Sequence, residues 1–144
     1  MDILSNFSES LKELMDNNNL SCEKLGDIIG VTKEAVRLWK NGKSNISLTH
    51  LIKLADYFHC SIEFLIGRSQ TFIDYAPKAC DTFYTSLQSV MKEKSITRYN
   101  VVKNTKIYDS YFTNWKNNAV PNILTLVTLA DYLDCTIDYL IGRE

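Results

Sequence analysis

At 144 residues the chain has room for one ordinary domain or two very small ones, and a content of 45% apolar and 23% charged residues suits a soluble globular protein. No stretch approaches the ~18 consecutive apolar residues of a membrane helix, and Met1-Asp2-Ile3-Leu4 lacks the charged start and apolar run of a secretory leader, so a cytoplasmic protein with no membrane partner is expected. A net charge of −1 argues against indiscriminate nucleic-acid binding, which runs on excess positive charge, but permits specific binding by a locally basic face.

In chain order, the first predicted helix carries Phe7, Leu11, Leu14 and Met15 on one face and is broken by Asn17-Asn18-Asn19. Ser21 is placed to cap a second helix that ends near Ile29, with Gly30 as the turn. Thr32 caps a third helix running to about Asn41, ended by Gly42. Ser47 caps a fourth over Leu48 to Phe58, and Ser61 caps a short fifth over Ile62 to Ile66, closed by Gly67. Strand signals are weak, because no hairpin turn pair separates alternating runs.

The same order then recurs. Leu54-Ala55-Asp56-Tyr57 returns as Leu129-Ala130-Asp131-Tyr132, and Leu65-Ile66-Gly67-Arg68 as Leu140-Ile141-Gly142-Arg143, both at an offset of 75. Upstream, Trp39-Lys40-Asn41 matches Trp115-Lys116-Asn117 at an offset of 76, as Phe7, Ser10, Leu11 and Met15 match Phe83, Ser86, Leu87 and Met91. One residue is therefore missing from the loop after the tryptophan, where an indel costs little. The expected organisation is all-α: a domain at 1–68, a linker at 69–76 and a more divergent second copy at 77–144, whose first helix is expected to start at Pro77 and run to about Lys94.

Cys22, Cys60, Cys80 and Cys135 form no C-x-x-C pair, and with only His50 and His59 beside them neither a zinc site nor a disulfide scaffold is expected; reduced thiols are. Cys60 and Cys135 hold matching positions and read as small core residues, and the two histidines as surface residues of the fourth helix and its end. No nucleophile–base pair, carboxylate pair or glycine-rich phosphate loop stands out, so no enzyme activity and no cofactor are expected.

The segment from Leu20 to Gly42 has a helix-turn-helix layout. Gly26 lets two helices approach closely, Gly30 permits the tight turn, Val31 and Val36 face the core, and Trp39 plugs the far end of the third helix. This pattern, with the tail Leu51–Phe58 followed by Ser61–Arg68, resembles the phage Cro/repressor-type helix-turn-helix domains, also called the xenobiotic-response-element-like family, over nearly the whole chain and twice. The resemblance implies two tandem five-helix lambda-repressor-like domains and a transcriptional regulator, a repressor, whose third helix lies in the major groove of double-stranded DNA while flanking helix N-termini meet phosphates.

Carried onto the first copy, it implies base reading by Thr32, Lys33, Glu34 and Arg37 and phosphate contacts by Lys24, Lys40 and Lys43, with Cys22 standing where the family often has a glutamine that touches DNA. In the second copy the reading face is Tyr108, Asp109, Ser110, Thr113 and Asn114, with Arg98, Lys103, Lys116 and also Lys106 toward phosphate. This copy departs from the pattern: Val102 replaces Gly26, Lys106 replaces Gly30 and Asn118 replaces Gly42, so a remodelled turn is expected. Charge supports the placement, since residues 22–43 and 98–119 carry a net +2 and +3, whereas 1–21 and 120–144 each carry −3.

Three readings stay open at this point. Both copies read DNA, one chain serving as a pseudo-dimer on an asymmetric site, with a linker reach of roughly 20–28 Å. Alternatively the second copy, with Tyr99, Tyr108 and Tyr111, serves dimerisation (a homodimer) or a protein partner. The third reading is an antitoxin- or anti-repressor-like module that works mainly by contacting protein.

Overall fold

The computed structural model describes residues 2–70 and 82–144. The chain divides into two compact units, Met1–Pro77 and Lys78–Glu144. Among the described residues there are ten helices and no extended strand.

In the first unit α1 spans Ile3–Asn17, α2 Cys22–Ile29, α3 Lys33–Lys40, α4 Leu48–Phe58 and α5 Ile62–Leu65. Their starts follow from short polar side chains. Asp2, Ser21, Thr32, Ser47 and Ser61 each turn a side-chain oxygen onto an N–H in the first turn, meeting one of the donors every helix start leaves orphaned. The expected break after α1 is made by Asn18, whose side chain donates to the Leu14 carbonyl at 2.7 Å, and by Asn19 in the left-handed region at φ 54°.

Phe7, Leu11 and Met15 of α1 share a buried core with Leu25, Val36, Trp39, Leu51, Leu54, Ile62, Leu65 and Ile66. Each large apolar side chain so buried is worth about 1.5–3 kcal/mol, and a domain this small has few to lose. The hydroxyl of Ser8 donates to the Lys40 carbonyl, tying α1 to the end of α3. Three details differ from expectation. The third and fifth helices each stop one residue early, at Lys40 and Leu65. Val31 is half-buried where Val36 is fully so. His50, expected at the surface, is partly covered there, with its ring 5.5 Å from that of Trp39, because the start of α4 lies over the tryptophan at the end of α3.

In the second unit α6 spans Phe83–Glu93, α7 Arg98–Asn104, α8 Asp109–Lys116, α9 Ile123–Leu133 and α10 Ile137–Leu140. The first of these begins at Phe83, capped by Thr82 through the Thr85 N–H at 3.3 Å; the expected start at Pro77 lies outside the described residues. Pro77, Cys80 and all of the linker at 69–76 beyond Gln70 lie outside the described residues. The core repeats that of the first unit with Phe83, Leu87, Val101, Phe112, Trp115, Leu126, Leu129, Ile137 and Leu140. Cys60 is fully buried, but its counterpart Cys135 is only half-buried.

Candidate nucleic-acid interface

The first unit builds its α2–turn–α3 corner around two glycines. A Cβ on Gly26 would stand 2.8 Å from the Val31 carbonyl oxygen, closer than real Cβ atoms come to backbone. Gly30 sits at φ 87°, and the N–H groups of Gly30 and Val31 both donate to the Gly26 carbonyl, at 2.8 and 2.9 Å. With the corner closed, Val36 and Trp39 bury the inner face of α3, which fixes the outer face.

That outer face carries Lys33, Glu34, Arg37 and Leu38, all exposed. Arg37 pairs with Glu34 at 3.2 Å. An exposed pair of this kind is worth about 0–1 kcal/mol and opens at little cost when a better partner arrives. Thr32 is exposed, with its hydroxyl oxygen accepting from the Ala35 N–H at 3.1 Å. Lys24 and Lys43 are exposed and Lys40 is half-buried. Cys22, the first residue of α2, is half-buried. Leu38, 44% exposed, is absent from the residues predicted to read bases. The repeat holds the signal that finds it: at the offset of 76, Leu38 is the counterpart of Asn114.

The second unit reaches the same helix pair by a different corner. Val102 occupies the Gly26 position, and α7 ends at Asn104 with Thr105 extended at φ −131°. The Thr105 hydroxyl donates to the Val101 carbonyl at 2.7 Å and accepts from the Ile107 N–H at 3.1 Å. A side chain thus replaces the two N–H bonds of the glycine turn. Lys106 avoids the left-handed region, which is the remodelling expected of this turn. By contrast, Asn118 keeps a positive φ of 74°, as does Gly42 at 68°, because asparagine tolerates that region.

On α8, Phe112 and Trp115 are buried, and Asp109, Ser110, Thr113, Asn114 and Lys116 are exposed. Tyr108 precedes the helix, 69% exposed, with its ring 5.6 Å from that of the half-buried Tyr111. On α7, Tyr99 is 68% exposed and the Lys103 ammonium lies 5.8 Å from its ring centre. Arg98 is half-buried and turned onto α8. Its Nε donates to Asp109 Oδ1 at 2.6 Å, its Nη2 to the Asp109 carbonyl at 2.7 Å and to Thr113 Oγ1 at 3.1 Å, and the guanidinium carbon lies 5.2 Å from the Phe112 ring centre.

Two helices joined by a tight corner, the second with a buried aromatic face and an exposed polar one, are thus present twice. Residues 11–65 match the family described as Helix-turn-helix, and residues 86–144 match the Cro/C1-type HTH DNA-binding domain. The chain carries two Cro/C1-type helix-turn-helix domains in tandem. Neither the curated proteins nor the solved structures offer a match. The tandem domains belong to a DNA-binding class of transcription regulators. No helix among the described residues is long and apolar enough to cross a membrane, and no cluster of His, Cys, Asp and Glu among them could hold a metal ion.

Proposed function

We propose that this protein is a sequence-specific transcriptional repressor that acts in the cytoplasm and reads the major groove with α3 and α8, through domains at 1–68 and 77–144 joined by the linker 69–76. The observation that carries this reading is the division of each of these two helices into a buried aromatic face and an exposed face of hydrogen-bonding side chains. Thr32, Lys33, Glu34 and Arg37 read one half-site; Tyr108, Asp109, Ser110, Thr113 and Asn114 read the other. Leu38 joins the first set, where an apolar side chain suits a thymine methyl. Lys24, Lys40 and Lys43, and in the second domain Lys103, Lys106 and Lys116, neutralise phosphates. Cys22, at the N-terminus of α2, faces the backbone with its helix start.

Because the two reading faces share almost no residue, the operator is asymmetric, and one chain engages both half-sites. Anisotropy titration against a randomised duplex pool, at low and near-physiological salt, with sequencing of the bound fraction, tests this. An enriched asymmetric motif with affinity falling steeply as salt rises supports it; an enriched perfect palindrome refutes the single-chain pseudo-dimer.

The exposed Tyr99 and Tyr108 favour a second reading, in which the second domain holds a second copy of the chain or another protein. Alanine at Ser110 and Asn114 would then leave DNA affinity intact.

A further inference from the structure

We infer that Arg98 is a positioning residue that arms Asp109 to select cytosine in the half-site read by the second domain. This rests on the proposed DNA reading and assigns one contact within it.

A bare carboxylate at the first turn of a reading helix faces a polyanion and is repelled by it. Asp109 is not bare. Its Oδ1 and its backbone carbonyl both accept from Arg98, whose guanidinium is held in turn by Thr113 Oγ1 and the Phe112 ring. The side chain of Asp109 is still 71% exposed. The pair is therefore neutral as a unit, fixed in direction from two helices, and open to a partner. A fixed carboxylate in the major groove accepts from the cytosine N4 amine, the one base edge there that only donates.

The first domain cannot build this device. At the offset of 76, Cys22 stands in place of Arg98 and Lys33 in place of Asp109. An ammonium at that position suits the guanine acceptors. The two half-sites accordingly differ at one equivalent column, guanine under Lys33 and cytosine under Asp109. Arg98, spent on α8, adds little to phosphate neutralisation.

Binding-site selection with the full chain tests this in wild type, Asp109→Asn, Arg98→Met and Arg98→Lys, with circular dichroism melting to check folding and salt titration on the wild-type motif. Wild type is expected to prefer cytosine by at least about fivefold in one column. Asp109→Asn is expected to shift that column toward adenine and leave the others unchanged. Both Arg98 variants are expected to flatten the same column; Arg98→Lys, which keeps the charge but not the planar fork, folds with an unchanged salt slope. A cytosine column untouched by Asp109→Asn overturns the assignment alone. So does uniform weakening by Arg98→Met across all sequences with a salt slope lower by about one, the signature of a phosphate contact. No enriched motif in wild type overturns the DNA reading itself, and the assignment with it.

Discussion

Arg143 Nη1 donates to Asp138 Oδ1 at 2.6 Å, with the two side chains 0% and 1% exposed. Their counterparts Arg68 and Glu63 pair at 3.2 Å but remain 22% and 10% exposed. In each domain the arginine follows the glycine that closes the last helix, and its N–H returns to the carbonyl of the acidic partner, at 2.8 Å for Arg143 and 2.9 Å for Arg68. Removing the carboxylate opposite a buried guanidinium is expensive, so Asp138→Ala is expected to cost about 3–5 kcal/mol. Glu63→Ala is expected to fall between that and the ~0–1 kcal/mol of an exposed pair. Denaturant unfolding followed by tryptophan fluorescence, with Trp39 and Trp115 each silenced in turn by phenylalanine, separates the two domains.

The two corners make opposite demands on glycine. Gly26→Ala places a methyl group against the Val31 carbonyl oxygen and is expected to destabilise the first domain by about 1–3 kcal/mol. Gly30→Ala has open space around it, and its cost, about 1–2 kcal/mol, comes from the left-handed backbone alone. In the second domain Lys106→Gly is expected to cost about 0.5–1 kcal/mol or less, from chain entropy, because no left-handed turn is relieved. Thermal melts of the three variants check the order.

The Thr105 hydroxyl is the tie that lets the second corner dispense with glycine. Thr105→Val keeps the shape and removes both hydrogen bonds, so a loss of about 1–3 kcal/mol is expected, with Thr105→Ser recovering most of it. Amide hydrogen exchange at Ile107 is expected to speed up in the valine variant.

The His50 pKa is held below its ordinary value of 6.5, first by burial against Trp39 and then by the charge of Lys53. Below that ordinary value the unfolded chain binds the proton and the folded domain resists it, so stability falls as pH drops through the window below about 6.5. His50→Gln is expected to flatten this part of the pH–stability curve, measured by urea denaturation at a series of pH values.

For DNA, Arg37→Ala is expected to cost about 1–3 kcal/mol and to relax selectivity at one base pair, whereas Lys43→Ala weakens all sequences alike and lowers the salt slope by about one. Competition binding against single-substituted duplexes distinguishes the two patterns.

Much of this was legible in the residues. Helix starts are local events, so Ser21, Thr32, Ser47 and Ser61 could be read as caps from the chain alone. Tandem duplication was equally open, because matched apolar spacing survives divergence. The start of α6 was less so, since Pro77 and Thr82 both suit a helix start and the chain alone does not say that it is Thr82 whose hydroxyl caps the Thr85 N–H. The cover over His50 is not legible in the sequence, because Trp39 is eleven residues away and only folding brings its ring to 5.5 Å. Leu38 carries no polar signal of its own, and only its match to Asn114 across the repeat marks it.

The residues alone reveal two copies, through matches 75 and 76 positions apart, and they reveal five helices in each and a second copy without the turn glycine, because caps and turns depend on residues within a few positions of one another. Folding alone settles what replaces that turn and which groups Arg98 pairs with. Arg98 and Asp109 are eleven residues apart, on different helices. Before the chain folds, a guanidinium is a mobile charge equally suited to phosphate or carboxylate; burying Phe112 beside it leaves α8 at hydrogen-bond distance and settles its partner.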